Sequence, residues 1–193
     1  MPKRDDVRFS RLKDVSWEDE NTASSLEQIF NHTIDHANTL IEWYLTSKKS
    51  KKICAQWLRL SAIFLSTLGG LFPIIATATG LSALWATILL GLAAMCVAID
   101  RFFGCSSAWM RFINAEYRIR RLLNEYQITF EQLRASWQNA IPDEEQVQTA
   151  LNTAKTFIVD VENIVIAETA QWRSEFQSVI KNIDNGLKQT SGK

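Results

Sequence analysis

Charge stops at Arg59 and does not return until Asp100, so residues 60–99 form a run of forty positions without Asp, Glu, Lys, Arg or His. A helix crosses the hydrocarbon of a bilayer in about twenty residues, and this run is roughly twice that. Its midpoint falls between Thr79 and Gly80, within a segment from Thr77 to Ser82 that is the one turn-like stretch available. The pattern predicts a transmembrane helical hairpin, with two spans of about 30 Å joined by a very short loop. A buried hairpin in a soluble protein is the competing reading.

On either side of the run the apolar positions change period. Leu26, Ile29, Phe30, Ile34, Ala37, Leu40, Ile41 and Tyr44 recur at steps of three and four, which predicts an amphipathic helix over 21–58. Ser24 or Ser25 with Glu27 or Gln28 supplies its N-terminal cap. No Gly or Pro separates this helix from the first span. Beyond Asp100 the second span likewise continues without a breaker into a helix over 104–140, with Trp109, Phe112, Ile119, Leu123, Tyr126, Phe130 and Trp137 on its stripe. Pro142 with the acidic residues after it marks a stop and a new start. Val147, Leu151, Phe157, Val161, Ile164, Trp172, Phe176 and Ile180 then carry a last helix over 141–184, ended by Asn185 and Gly186.

The predicted fold class is all-α: a two-span hairpin over 59–103, with spans at about 59–79 and 82–102. Long helical extensions form an antiparallel bundle beside a flexible start (1–20) and a flexible tail (185–193). Val15 and Trp17 are expected to dock locally. Three amphipathic helices with one apolar stripe each bury those stripes only against one another or against neighbouring subunits.

Composition adds little until charge is placed along the chain. The 193 residues carry 21 basic and 21 acidic side chains, so net charge gives no reason to expect nucleic acid. Lys48, Lys49, Lys51, Lys52 and Arg59 precede the first span, Arg101, Arg111, Arg118, Arg120 and Arg121 follow the second, and the turn between is uncharged. The positive-inside rule puts both flanks and both termini in the cytosol. Cys54, Cys96 and Cys105 then lie at or inside the cytosolic border and read as small packing residues, not a disulfide framework. No cleavable signal precedes the spans.

Candidate chemistry is sparse. His32, Asp35 and His36 share a helix face, but Ile29 and Thr33 stand where a dimetal bundle would want Glu, so a solvated face is the expectation, without metal or cofactor. No phosphate loop, nucleophile elbow or Cys-x-x-Cys pair is present, and no enzyme is predicted. Small residues line each span instead. Arg59, Ala62, Ser66, Gly70, Pro73, Thr77 and Gly80 follow one face of the first, and Ala83, Thr87, Gly91, Ala94 and Ala98 one face of the second. Such lines let helices approach closely in lipid, as a packing face or as the wall of a pore. Gly69 and Gly70 followed by Pro73 predict a bend near Phe72. Arg59 and Asp100 lie equidistant from the turn and would pair at one depth. Trp43, Tyr44 and the lysine cluster, with Arg59, Asp100 and Arg101, read as membrane-border anchors.

Residues 41–74, with Trp43, Tyr44, the lysine cluster, Arg59, Gly69, Gly70 and Pro73, resemble the SLATT family of bacterial two-span effector proteins. The likeness continues in Asp100, Gly104, Trp109 and Arg111 and covers about residues 25–180. It implies an effector of an anti-phage defence system in the bacterial inner membrane that oligomerises, permeabilises the bilayer and arrests or kills the cell. It also implies a nucleotide-signalling or sensor partner protein. The alternative is a non-conducting membrane scaffold that recruits a cytosolic partner through its helices.

Overall fold

The computed structural model describes residues 11–12, 14–18, 21–137 and 140–191. It contains four helices: α1 (Thr22–Thr79), α2 (Leu84–Phe103), α3 (Cys105–Ser136) and α4 (Glu144–Ser191). Most of the predicted flexible start, and the last two residues of the tail, lie outside the described residues. Of the two residues expected to dock there, Val15 is half-buried and Trp17 is 48% exposed. By internal contacts the chain divides into two compact units. The first takes the chain up to Thr46 together with Phe112–Thr169, and the second takes Ser47–Arg111 with the chain from Ala170.

The first unit is a three-helix core. Ala37, Leu40, Ile41 and Tyr44 of α1 meet Ala115, Ile119, Leu123 and Tyr126 of α3 and Ala154, Phe157, Val161 and Ile164 of α4. Each set steps by three or four, so one stripe per helix is consumed. Burying a large aliphatic or aromatic side chain in this way contributes about 1.5–3 kcal/mol. Tyr126 stacks on Phe157 with centroids 4.5 Å apart, and Phe30 on Phe130 at 3.9 Å. At the start of α4 the Asp143 carboxylate accepts from the Gln146 amide at 2.8 Å, while the Gln146 side chain accepts from the Asp143 amide at 3.1 Å. This reciprocal cap satisfies two amide groups that otherwise lack helical partners.

The second unit contains the apolar hairpin. α1 ends where the Gly80 amide donates to the Ala76 carbonyl and Gly80 adopts φ 72°, a left-handed conformation that glycine tolerates without a Cβ clash. The Ser82 hydroxyl accepts from the Leu84 amide as α2 begins. Both helices are long and apolar enough to cross a membrane, and only 17% and 11% of their most apolar windows are buried. The core helix of a soluble protein hides most of such a window, so the low burial favours lipid as the solvent. The seam is made by Gly69 and Ala76 of α1 against Ala86 and Ala93 of α2, all buried. A Cβ built on Gly69 would lie 3.0 Å from Leu90 Cγ and 3.3 Å from the Ala86 carbonyl oxygen, whereas one on Gly70 meets nothing within 4 Å.

Three local expectations need correction. The second span does not run on unbroken, because Gly104 takes φ 57°, caps α2 and separates it from α3. Asn185 and Gly186 do not end the last helix, which continues to Ser191; glycine inside a helix lowers stability without forcing a stop. Ser24 and Ser25 lie within α1, not at its cap, and the Ser25 hydroxyl donates to the Ser16 carbonyl. α1 remains one helix through Pro73.

The two adjacent glycines give a sharp comparison. Gly69→Val is expected to lower the unfolding free energy of the hairpin by about 1–3 kcal/mol through overpacking against Leu90 and Ala86. Gly70→Ala is expected to hold or slightly raise it. Denaturation of both variants in detergent micelles, followed by circular dichroism, checks the pair.

Candidate functional site at the base of the hairpin

The charged residues nearest the apolar run converge where α2 gives way to α3. Asp100, with a side chain only 17% exposed, faces Arg59 Nε at 3.8 Å. Its second task is to receive the start of α3: the Ser106 amide donates to Asp100 Oδ1 at 3.1 Å and the Ser106 hydroxyl to Oδ2 at 2.6 Å. The left-handed Gly104 brings these groups together, and a Cβ there would meet Ser107 Oγ at 3.1 Å. A carboxylate at a helix N-terminus also meets the positive end of the helix dipole. Asp100 is thus both half of an ion pair and the cap of a helix.

One turn further along α3, Arg111 is buried and reaches both Ser107 and Glu175 of α4. Glu175 in turn accepts from Gln171 at 3.0 Å. Below these charges Cys54 and Cys105 place their sulfurs 2.6 Å apart as free thiols. Burial, the hydrogen bond with Cys54 and the nearby Asp100 push the Cys105 thiol up to about 11, against a weaker opposing pull from Lys51. Lys52 sits over the Trp109 ring at 6.0 Å. The arrangement binds and orients charge, and it offers no activated nucleophile.

The sequence-derived candidates are distributed unevenly. Arg59 and Asp100 meet; Arg101 is exposed beside them. Lys49 and Lys52 are exposed, and Lys48 and Lys51 half-buried. Tyr44 is a core residue, 1% exposed, in edge contact with Trp43 and Phe112, and so does not lie on the surface where a headgroup would meet it. Burial and the Glu168 carboxylate push its phenol up to about 12. Ser66, Gly70, Pro73, Thr77, Thr87, Gly91 and Ala94 are all exposed on the single chain. Each line sits one residue, about 100° of helix, from the seam that joins the spans. Among the described residues no group of three metal-ligating side chains occurs. Burial holds His36 below the usual histidine range and favours the neutral ring, with Glu162 pulling in the opposite direction.

Sequence reasoning missed Ser106, Ser107, the Arg111–Glu175 pair and the thiol pair. The signal was local: Gly104 followed by Cys105, Ser106 and Ser107 is a helix stop next to a polar helix start.

An all-helical chain with two exposed apolar helices and an ionic seal at their open end defines a two-span membrane protein class. The chain belongs to the SMODS and SLOG-associating 2TM effector domain 2 family (SLATT_2), whose model matches residues 9–191. The family is an effector family linked to SMODS and SLOG signalling systems and is not described as catalytic. No curated protein and no solved structure matches the chain.

Two measurements test this geometry. Glu175→Gln removes one carboxylate from the buried Arg111 guanidinium and is expected to cost about 2 kcal/mol. Arg59→Gln removes an exposed partner and is expected to cost under about 1 kcal/mol; denaturant titration in micelles ranks them. Separately, alkylation of Cys105 is expected to stay slow at neutral pH, since the thiol is protonated well below its value of about 11. Cys54→Ala should shift the onset downward by removing the hydrogen bond and the neighbouring thiol, as read by mass spectrometry across a pH series.

Proposed function

We propose that this chain is the membrane effector of a bacterial anti-phage defence system, which oligomerises and permeabilises the inner membrane when triggered. Both termini are cytoplasmic in this reading, and the trigger comes from a nucleotide-signalling or sensor partner. The observation that carries it is the exposure of Ser66, Gly70, Pro73 and Thr77 along α1 and of Thr87, Gly91 and Ala94 along α2. The hairpin closes without consuming these lines, so each protomer offers small-residue faces to its neighbours. Two helices cannot enclose an aqueous path, and a pore therefore requires several hairpins.

The hydroxyls on these faces suit both a lipid-facing and a water-facing state. Ser66 donates to the Ile63 carbonyl at 3.0 Å and Thr77 to the Ile74 carbonyl at 2.7 Å. Such back-bonding satisfies the hydroxyl hydrogen inside the helix and leaves oxygen lone pairs outward, tolerable in lipid and useful to a passing hydrated ion. The basic residues on both sides of the hairpin support cytosolic placement of the flanks.

Gly70→Leu tests the proposal, because open space around Gly70 lets the single hairpin fold with the larger side chain. Reconstituted with its activating partner in dye-loaded liposomes, the wild-type chain is expected to release dye. The variant is expected to lose most of that release while chemical cross-linking still reports oligomers. Release that is unchanged by Gly70→Leu and Ser66→Leu, or absent from correctly inserted and activated wild-type oligomer, overturns the pore. Loss of assembly without any conductance in the wild type favours the scaffold.

A further inference from the structure

Cys54 of α1 and Cys105 at the start of α3 stand 51 residues apart in sequence and 2.6 Å apart at their sulfurs, both as free thiols. A disulfide holds its sulfurs at about 2.05 Å, so a small approach and the loss of the thiol hydrogens separate this pair from a bond. Cys105 is held in place by its neighbours: the left-handed Gly104 precedes it, and Asp100 binds the amide and hydroxyl of Ser106 after it. Ala55 and Ala108, both buried, flank the thiols with side chains small enough for two helix backbones to approach.

The two thiols differ in access. Cys54 is half-buried and Cys105 is buried, so Cys54 is the sulfur that a small oxidant meets first. Burial, the hydrogen bond with Cys54, the Cys54 sulfur itself and Asp100 hold the Cys105 thiol up at about 11, against the pull of Lys51. The hydrogen bond and the neighbouring thiol both end when Cys54 is oxidised, which frees Cys105 to react at that moment and not before. Two thiols that only fill space gain nothing from this asymmetry. It is the arrangement of an attacked cysteine beside a resolving one.

We propose that Cys54 and Cys105 form an oxidation site at the hairpin base, where hydrogen peroxide converts the thiol pair into a disulfide that ties α1 to α3. The Cys54 thiolate attacks one peroxide oxygen, the O–O bond breaks, and the departing hydroxide takes up the thiol proton as water, leaving a sulfenic acid on Cys54. Cys105 then gives up its proton and attacks the Cys54 sulfur. The S–S bond forms as the S–O bond breaks, and the hydroxide leaves with that proton as a second water. Peroxide is reduced to water and the thiols are oxidised to the disulfide, with no other reactant. Any accessible thiol reaches the sulfenic acid slowly through its thiolate fraction. Contact between the sulfurs contributes the second step, which becomes intramolecular at close range. The bond closes a loop over residues 54–105 and with it both apolar helices, and a thiol reductant reopens it. The site rests neither on conductance nor on the side of the membrane that the base faces.

The test treats the reduced full-length chain in detergent micelles with hydrogen peroxide at neutral pH, then quenches it in acid, denatures it and labels it with N-ethylmaleimide for mass spectrometry. The untreated chain is expected to take three labels, one on each cysteine, and the treated chain one, on Cys96. Cys54 and Cys105 should be recovered in a disulfide-linked peptide pair that dithiothreitol returns to full labelling. The thermal midpoint should rise with the bond and fall back on its reduction. Cys105→Ala should leave a dimedone-reactive sulfenic acid on Cys54, and Cys54→Ala should leave Cys105 a thiol. Three labels after peroxide, sulfinic acid on Cys54 with Cys105 still labelled, or bonds to Cys96 or between chains in place of the internal pair overturn the site. A bonded chain whose midpoint does not move overturns the tie between α1 and α3. These outcomes are read on the wild-type chain and stand whether or not a variant folds.

Discussion

The base of the hairpin depends on one carboxylate. Forty residues without charge satisfy their backbone internally as helix, but each helix end leaves amide or carbonyl groups without partners. At the turn, Gly80 and Ser82 meet that need locally. At the open end the need falls on Asp100, which holds the first turn of α3 through Ser106 while facing Arg59 of α1. Removing it would free α3 from its start and Arg59 from its partner at the same depth. A half-buried, multiply bonded anion is costly to strip, which is why this position governs the geometry around it.

How much of this is legible in the sequence depends on whether a feature is imposed by composition or chosen by packing. The hairpin is imposed: missing charge over residues 60–99 admits few alternatives, and Gly80 is the one place to turn. The amphipathic stripes of α1, α3 and α4 follow from spacing in the same way, down to Ile119 and Val161 in the core. The seam is chosen. Each span has two neighbouring lines of small residues, one through Gly69 and Ala76 and one through Gly70 and Thr77. Leu90 and the Ala86 carbonyl, packed against Gly69, show that the first is used within the chain. Glycine was ambiguous for a related reason: Gly104 takes a left-handed conformation and breaks a helix, while Gly186 sits inside one. The difference lies in what surrounds them, Asp100 and Ser106 in the first case.

The site at the hairpin base was partly legible. Equal distance from the turn pairs Arg59 with Asp100, a statement of length alone. Arg111 with Glu175, 64 residues apart, and Cys54 with Cys105, 51 apart, depend on which helix faces which. Tyr44 shows the converse error, an aromatic beside lysines that resembles an interface anchor and instead fills a core.

The back-bonded hydroxyls have a mechanical meaning. Ser66, Thr67, Thr77 and Thr79 all donate to carbonyls of their own helix, and among the described residues no hydrogen bond links the two apolar helices along the run. Dispersion between small side chains therefore holds the seam, a force with little angular preference that fades within an ångström of separation. Such a joint behaves as a plain bearing: one helix can turn against the other near Gly80 without breaking a directional bond, while the ionic base keeps the opposite end from sliding.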